Sequence, residues 1–109
     1  MKVEVQTQDK KGILSIFGDV DLYSVIKLKE ELEKLITSDI VTIIVNMHNV
    51  TYIDSSGIGA LIGSLKKITA KSGKLYLIEV PENVMKIFRF TSLHKIFHIY
   101  NTIAEIPEQ

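Results

Sequence analysis

Val3, Val5 and Thr7 alternate with polar side chains over residues 2–8, the period of two that predicts a half-buried strand. Asp9-Lys10-Lys11-Gly12 is a turn signal, and Ile13 to Phe17 is a second apolar run. A hairpin closed by a four-residue loop is therefore expected. Gly18-Asp19-Val20-Asp21 breaks the pattern, and from residue 22 the period changes. Leu22, Val25, Leu28, Leu32, Leu35 and Ile36 fall on one stripe, with lysines and glutamates opposite, which predicts an amphipathic helix over 22–36. Asp21 or Ser24 is its expected N-cap, and Thr37-Ser38-Asp39 ends it.

Ile40 to Val45 is β-branched almost throughout, as a strand covered on both faces would be. After residues 46–53 comes Asp54-Ser55-Ser56-Gly57, and then Ile58, Leu61, Ile62, Leu65 and Ile68 at helical spacing through Ala70. Leu75 to Ile78 reads as another buried strand. Pro81 suits the first position of a third helix, whose apolar face is Val84, Ile87, Phe88 and Leu93. Phe97 to Tyr100 predicts a short last strand, and Thr102 to Ile106 one helical turn before Pro107. The order β-β-α-β-α-β-α-β implies an α/β fold. Its sheet is mostly parallel, with an antiparallel N-terminal hairpin strand, right-handed crossovers and helices packed against it.

Composition narrows the function. The 109 residues fit one domain, residues 1–109, and 46% apolar with 24% charged residues is ordinary for a globular chain. Thirteen basic and thirteen acidic side chains leave no net charge, which argues against direct nucleic-acid binding. The absence of cysteine excludes disulfides, thiolate metal sites and a cysteine nucleophile. The start lacks an apolar signal core, and no stretch reaches the about 20 apolar residues of a membrane helix. A cytoplasmic protein that does not enter membranes is expected, with a monomer favoured.

Chemistry in parallel α/β folds collects beyond the carboxyl ends of strands. Gly18 to Asp21 and Asp54 to Gly57 compete for that place, and both precede helices with free N–H groups. Asp54-Ser55-Ser56-Gly57 supplies three consecutive capping-type residues where one would do. Gly57, Gly59 and Gly63 then fall within one predicted helix, although glycine there costs up to about 1 kcal/mol against alanine. Such glycines suggest close backbone approach, to a neighbouring element or to a partner. His48, His94 and His98 lack paired metal-ligand spacing, and Ser55 lacks a nucleophile elbow. Gly57-Ile58-Gly59 lacks the third glycine of a dinucleotide loop. No cofactor is expected, and the lack of a base–nucleophile pair disfavours a small enzyme of flavodoxin-like shape.

Val50-Thr51-Tyr52-Ile53-Asp54-Ser55-Ser56-Gly57-Ile58-Gly59 resembles the signature of the bacterial anti-sigma factor antagonists, the STAS-domain family. Gly18-Asp19-Val20-Asp21 resembles that family's Gly-acidic-apolar-Asp motif, and Phe90-Thr91-Ser92-Leu93 through Phe97 its late helix-to-strand junction. The chain departs from the pattern at its end. Family members often carry a full last helix where only Thr102 to Ile106 stand here, which leaves open how that face of the sheet is covered.

The resemblance implies a partner switch that is a substrate and not an enzyme. The unphosphorylated antagonist binds an anti-sigma factor, itself a serine kinase using ATP and Mg²⁺, and so frees the sigma factor. The kinase phosphorylates the first serine after the aspartate, here Ser55, and a PP2C-type phosphatase reverses the mark. Asp54 is expected to orient the loop or simply to cap the helix, and Ser56 to be a cap or a minor acceptor. Gly57 and Gly59 are expected to admit the partner's backbone. Asp19 and Asp21 would give it an acidic rim, capping by Asp21 being the other reading. The alternative function is a STAS adaptor subunit of a lipid transporter or of a larger sensory assembly. The charge distribution fits a switch: residues 1–57 carry six basic and nine acidic side chains, whereas 58–100 carry seven and two.

Overall fold

In the computed structural model, residues 1–107 are described. Strands β1 (Lys2–Gln8) and β2 (Lys11–Val20) form the antiparallel hairpin. Helix α1 (Val25–Ile36), strand β3 (Thr42–Ile53), helix α2 (Ser55–Ala70), strand β4 (Lys74–Ile78), helix α3 (Glu82–Phe90) and strand β5 (His98–Tyr100) follow, and 3₁₀ turns occupy Leu93–Lys95 and Ile103–Glu105. The sheet order is β1-β2-β3-β4-β5, with every pairing after the hairpin parallel. Because each crossover steps in the same direction, all three α-helices lie on one face. There Leu14, Ile16, Ile43, Val45, Leu75 and Leu77 meet Leu28 and Leu32 of α1, Leu61 and Ile68 of α2, and Val84 and Phe88 of α3.

The opposite face carries the alternate residues Ile44, Tyr76 and Ile78. Ile106 covers them, held there by a turn in which Glu105 accepts the Thr102 N–H. One short segment thus does the covering expected of a full last helix. Phe97 does not join β5 but stacks on Phe88, with ring centroids 5.6 Å apart.

Five boundaries differ from the pattern-based expectation. The hairpin loop is two residues, Asp9 and Lys10, because Asp9 takes a φ of 56° and lets Gln8 pair with Lys11. Strand β2 does not break at Gly18. Glycine's φ of 95° absorbs an irregularity, and pairing continues to Val20 against Ile53. Strand β3 runs on to Ile53, through two register shifts against β2 that each give β3 an extra residue. Helix α1 starts at Val25 and not at residue 22, and Pro81 stands just before α3 and not inside it.

Candidate functional site

The carboxyl ends of β2 and β3 lie side by side, and the two suspected segments meet there. The Asp54 N–H donates to the Val20 carbonyl at 3.0 Å, fixing the start of α2 against the end of β2. Asp54 is extended, with φ −101° and ψ −174°, as an N-cap residue should be. Its Oδ1 accepts the N–H groups of Ser56 and Gly57 at 2.9 and 3.1 Å and also the Ser56 hydroxyl. Its Oδ2 accepts the N–H of Leu22 at 3.1 Å. One carboxylate therefore caps α2 and ties down the loop between β2 and α1. The Ser56 hydroxyl, followed by these N–H groups, holds the Asp54 carboxyl below its ordinary range against the opposing effect of partial burial.

The two serines differ. Ser56 is half-buried and donates its hydroxyl to Asp54. Ser55, the first residue of α2, is exposed, and its hydroxyl has no hydrogen-bond partner among the described residues. Gly57 faces inward. A Cβ there would stand 2.7 Å from side-chain atoms of both Val20 and Ile53, so the fold itself requires this glycine. Gly59 lies on the outer surface, where a Cβ would meet nothing within 4 Å.

Asp19 is exposed, and its carboxylate accepts the Thr51 hydroxyl from β3. Asn83, at the start of α3, donates to the Thr51 carbonyl at 3.1 Å and brings the third helix to the same end of the sheet. Asp21 does not cap α1. Its Oδ1 accepts the N–H groups of Tyr23 and Ser24 at 3.0 Å, closing a turn that delays the helix. Ser24 stands at the N-cap position without a side-chain cap bond.

That turn displaces the apolar residues expected inside. Leu22 does not join the buried stripe of α1; it is 65% exposed, with Tyr23 at 90% and Ile26 at 62%. Leu22 is tied by its backbone to Asp54, the neighbour of Ser55, and the sequence pattern does not show this exposed apolar stretch. The available signal was Asp21-Leu22-Tyr23-Ser24, an Asx-turn spacing that takes Leu22 out of the helix. Among the described residues no group of three histidines or carboxylates could hold a metal ion, and no helix is long and apolar enough to cross a membrane.

A family model described as the STAS domain matches residues 2–106. An anti-sigma-B factor antagonist of Staphylococcus aureus is 32% identical over 99 residues, covering 91% of this chain and 92% of that one. Among solved structures, an anti-sigma factor antagonist from Mycobacterium paratuberculosis superposes with a TM-score of 0.85 at 17% identity, covering 95% of this chain and 88% of that one. Phosphorylated SpoIIAA of Bacillus superposes with a TM-score of 0.76 at 23% identity, covering 95% of each chain.

Proposed function

This chain belongs to the STAS-domain family of anti-sigma factor antagonists, a regulatory family and not one of enzymes, and we propose that it works as a phosphorylation-controlled partner switch. The unphosphorylated chain, one STAS unit over residues 1–109 and monomeric in the cytoplasm, binds an anti-sigma factor with serine kinase activity. That binding frees the sigma factor. Phosphorylation of Ser55 ends it, and a PP2C-type phosphatase restores it.

The observation that carries this reading is the contrast between the two serines: Ser55 offers a free, exposed hydroxyl, whereas Asp54 occupies that of Ser56. Around Ser55 the partner surface comprises Asp19, Asp21, Asp54, Ser56 and Gly59, and the apolar residues Leu22 and Tyr23. Gly57 serves it from beneath, by letting the first turn of α2 rest on Val20 and Ile53. The adaptor reading is not favoured, since the relative at 32% identity is an anti-sigma-B factor antagonist.

The physics suits such a switch. A phosphate adds about −1.5 to −2 charges. At a helix N-terminus the dipole attracts it by roughly 0.3–1 kcal/mol, so the fold tolerates it. A partner surface closing over it does not, because a desolvated dianion next to Asp54 is repelled and unpaired. The test is to mix the chain with its cognate anti-sigma kinase, ATP and Mg²⁺ and to map the phosphate. One phosphate at Ser55, with loss of the complex, is expected. Phosphate at another residue, or none, refutes the reading.

A further inference from the structure

Two glycines of α2 have no explanation inside the molecule. Gly57 and Gly73 are required, since a Cβ would come within 2.7 Å of Ile53 and within 2.6 Å of the Val41 carbonyl, respectively. At Gly59 and Gly63 a Cβ would meet nothing within 4 Å, yet both sit inside a helix, where glycine is a poor former. Four residues apart, they share one face of α2. They line a groove of about 750 Å³ between α1 and α2.

A second observation points into the same groove. Ser64 lines it and is only 7% exposed, yet its hydroxyl has no hydrogen-bond partner among the described residues. No buried side-chain oxygen or nitrogen there is both fully enclosed and unpaired, so this hydroxyl borders the groove. Water reaches it there, and an occupant that displaces this water must replace its hydrogen bond.

We infer that the groove seats a helix of the same anti-sigma partner that acts on Ser55, an inference that rests on the function proposed above. Ser55 precedes Gly59 by one helical turn on the same face, and exposed Ile26 precedes Glu30 likewise on α1. A chain that covers Ser55 therefore continues into the groove. The four-residue repeat of absent side chains matches the ridge spacing of a packed helix and lets its backbone come close. The rim mixes signs, with Lys29 and Lys34 beside Glu30 and with Lys67 paired to Glu33 at 2.9 Å between the two helices, which suits a helix of mixed charge better than a polyanion. Ser64 supplies a hydrogen bond to a polar group on the occupant.

The test uses the full chain and the purified anti-sigma kinase, with calorimetric affinity and Ser55 phosphorylation as separate readouts. Gly63→Leu fills the groove from a position where the new side chain starts in open space, so wild-type thermal stability is expected with affinity about tenfold weaker or more. Glu30→Trp blocks the groove from the exposed rim of α1 and stands in should Gly63→Leu not fold. Wild-type affinity and phosphorylation in both variants overturn the groove assignment and leave the switch standing. A wild-type chain that is neither bound nor phosphorylated overturns both. A wild-type dimer that Gly63→Leu dissolves places a second copy in the groove and overturns the assignment of its occupant.

Discussion

The Asp54 carboxylate receives the backbone N–H of Leu22 at 3.1 Å across a sequence separation of 32 residues. The residue before Ser55 thereby holds the loop that exposes Leu22 and Tyr23. The proposed phosphoacceptor and the exposed apolar residues are fixed to one another by a single side chain. Asp54→Asn removes the charge from this junction and is expected to lower the urea midpoint at neutral pH. The sign follows from its lowered carboxyl titration: the stabilisation is present above the unfolded value of about 3.9 and is lost as pH falls through the folded value. The gap between Asp54→Asn and wild type should therefore close in urea titrations below about pH 4. A gap independent of pH would remove the carboxylate's charge from the account.

The glycines of α2 separate into two classes that denaturation can distinguish. Gly57→Ala drives a methyl group into Val20 and Ile53 and should cost about 1–3 kcal/mol. Gly59→Ala meets nothing and should gain up to about 1 kcal/mol through helix propensity. Equal effects at the two positions would contradict the packing described here.

Ser55→Asp places a carboxylate at the first position of α2, where the helix dipole favours it. Its stability should stay within about 0.5 kcal/mol of wild type. Binding of the anti-sigma partner should fall about tenfold or more, since a charge in a closing interface loses its water. An unchanged melting curve with unchanged binding would mean that the surface at Ser55 is not the one the partner covers.

Leu22→Ser and Tyr23→Ser remove exposed apolar area, so each should shift stability by less than about 0.5 kcal/mol. Each should nonetheless weaken the partner complex, which isothermal titration would register. A change in stability without a change in affinity would reassign the two residues to the fold.

Ile106→Ala opens the face of the sheet away from the helices. A loss of about 2–3 kcal/mol in chemical denaturation is expected, as for other buried aliphatic truncations. Wild-type stability would mean that the segment after β5 contributes little to covering Ile44, Tyr76 and Ile78.

The element order and the mixed sheet could be read from the sequence because β1 alternates, α1 and α2 repeat at helical spacing, and β4 is one short apolar run. The second half of β3 could not. Its buried residues Met47, Val50 and Ile53 recur every third position, because two register shifts break the alternation. The start of α1 departs from the pattern for a related reason: Leu22 continues the helical stripe in sequence, but the Asp21 turn stops the helix from forming there. At the site, the motif marked Asp54 and Ser55, and capping chemistry is local enough to read. Which hydroxyl Asp54 would occupy, and that Leu22 would be its fourth donor, depended on bringing two distant loops together, which no local pattern encodes.

The order of strands across the sheet repeats their order along the chain. Every pairing therefore closes over no more than one hairpin turn or one connecting helix. Each parallel pairing spans a single crossover, as between Lys11 and Thr42 or Thr42 and Lys74, so each strand meets the one before it in the chain. During synthesis the hairpin, α1, β3 and α2 can assemble before the last third of the chain has left the ribosome. The surface that carries Ser55 thus belongs to the part of the molecule that is finished first.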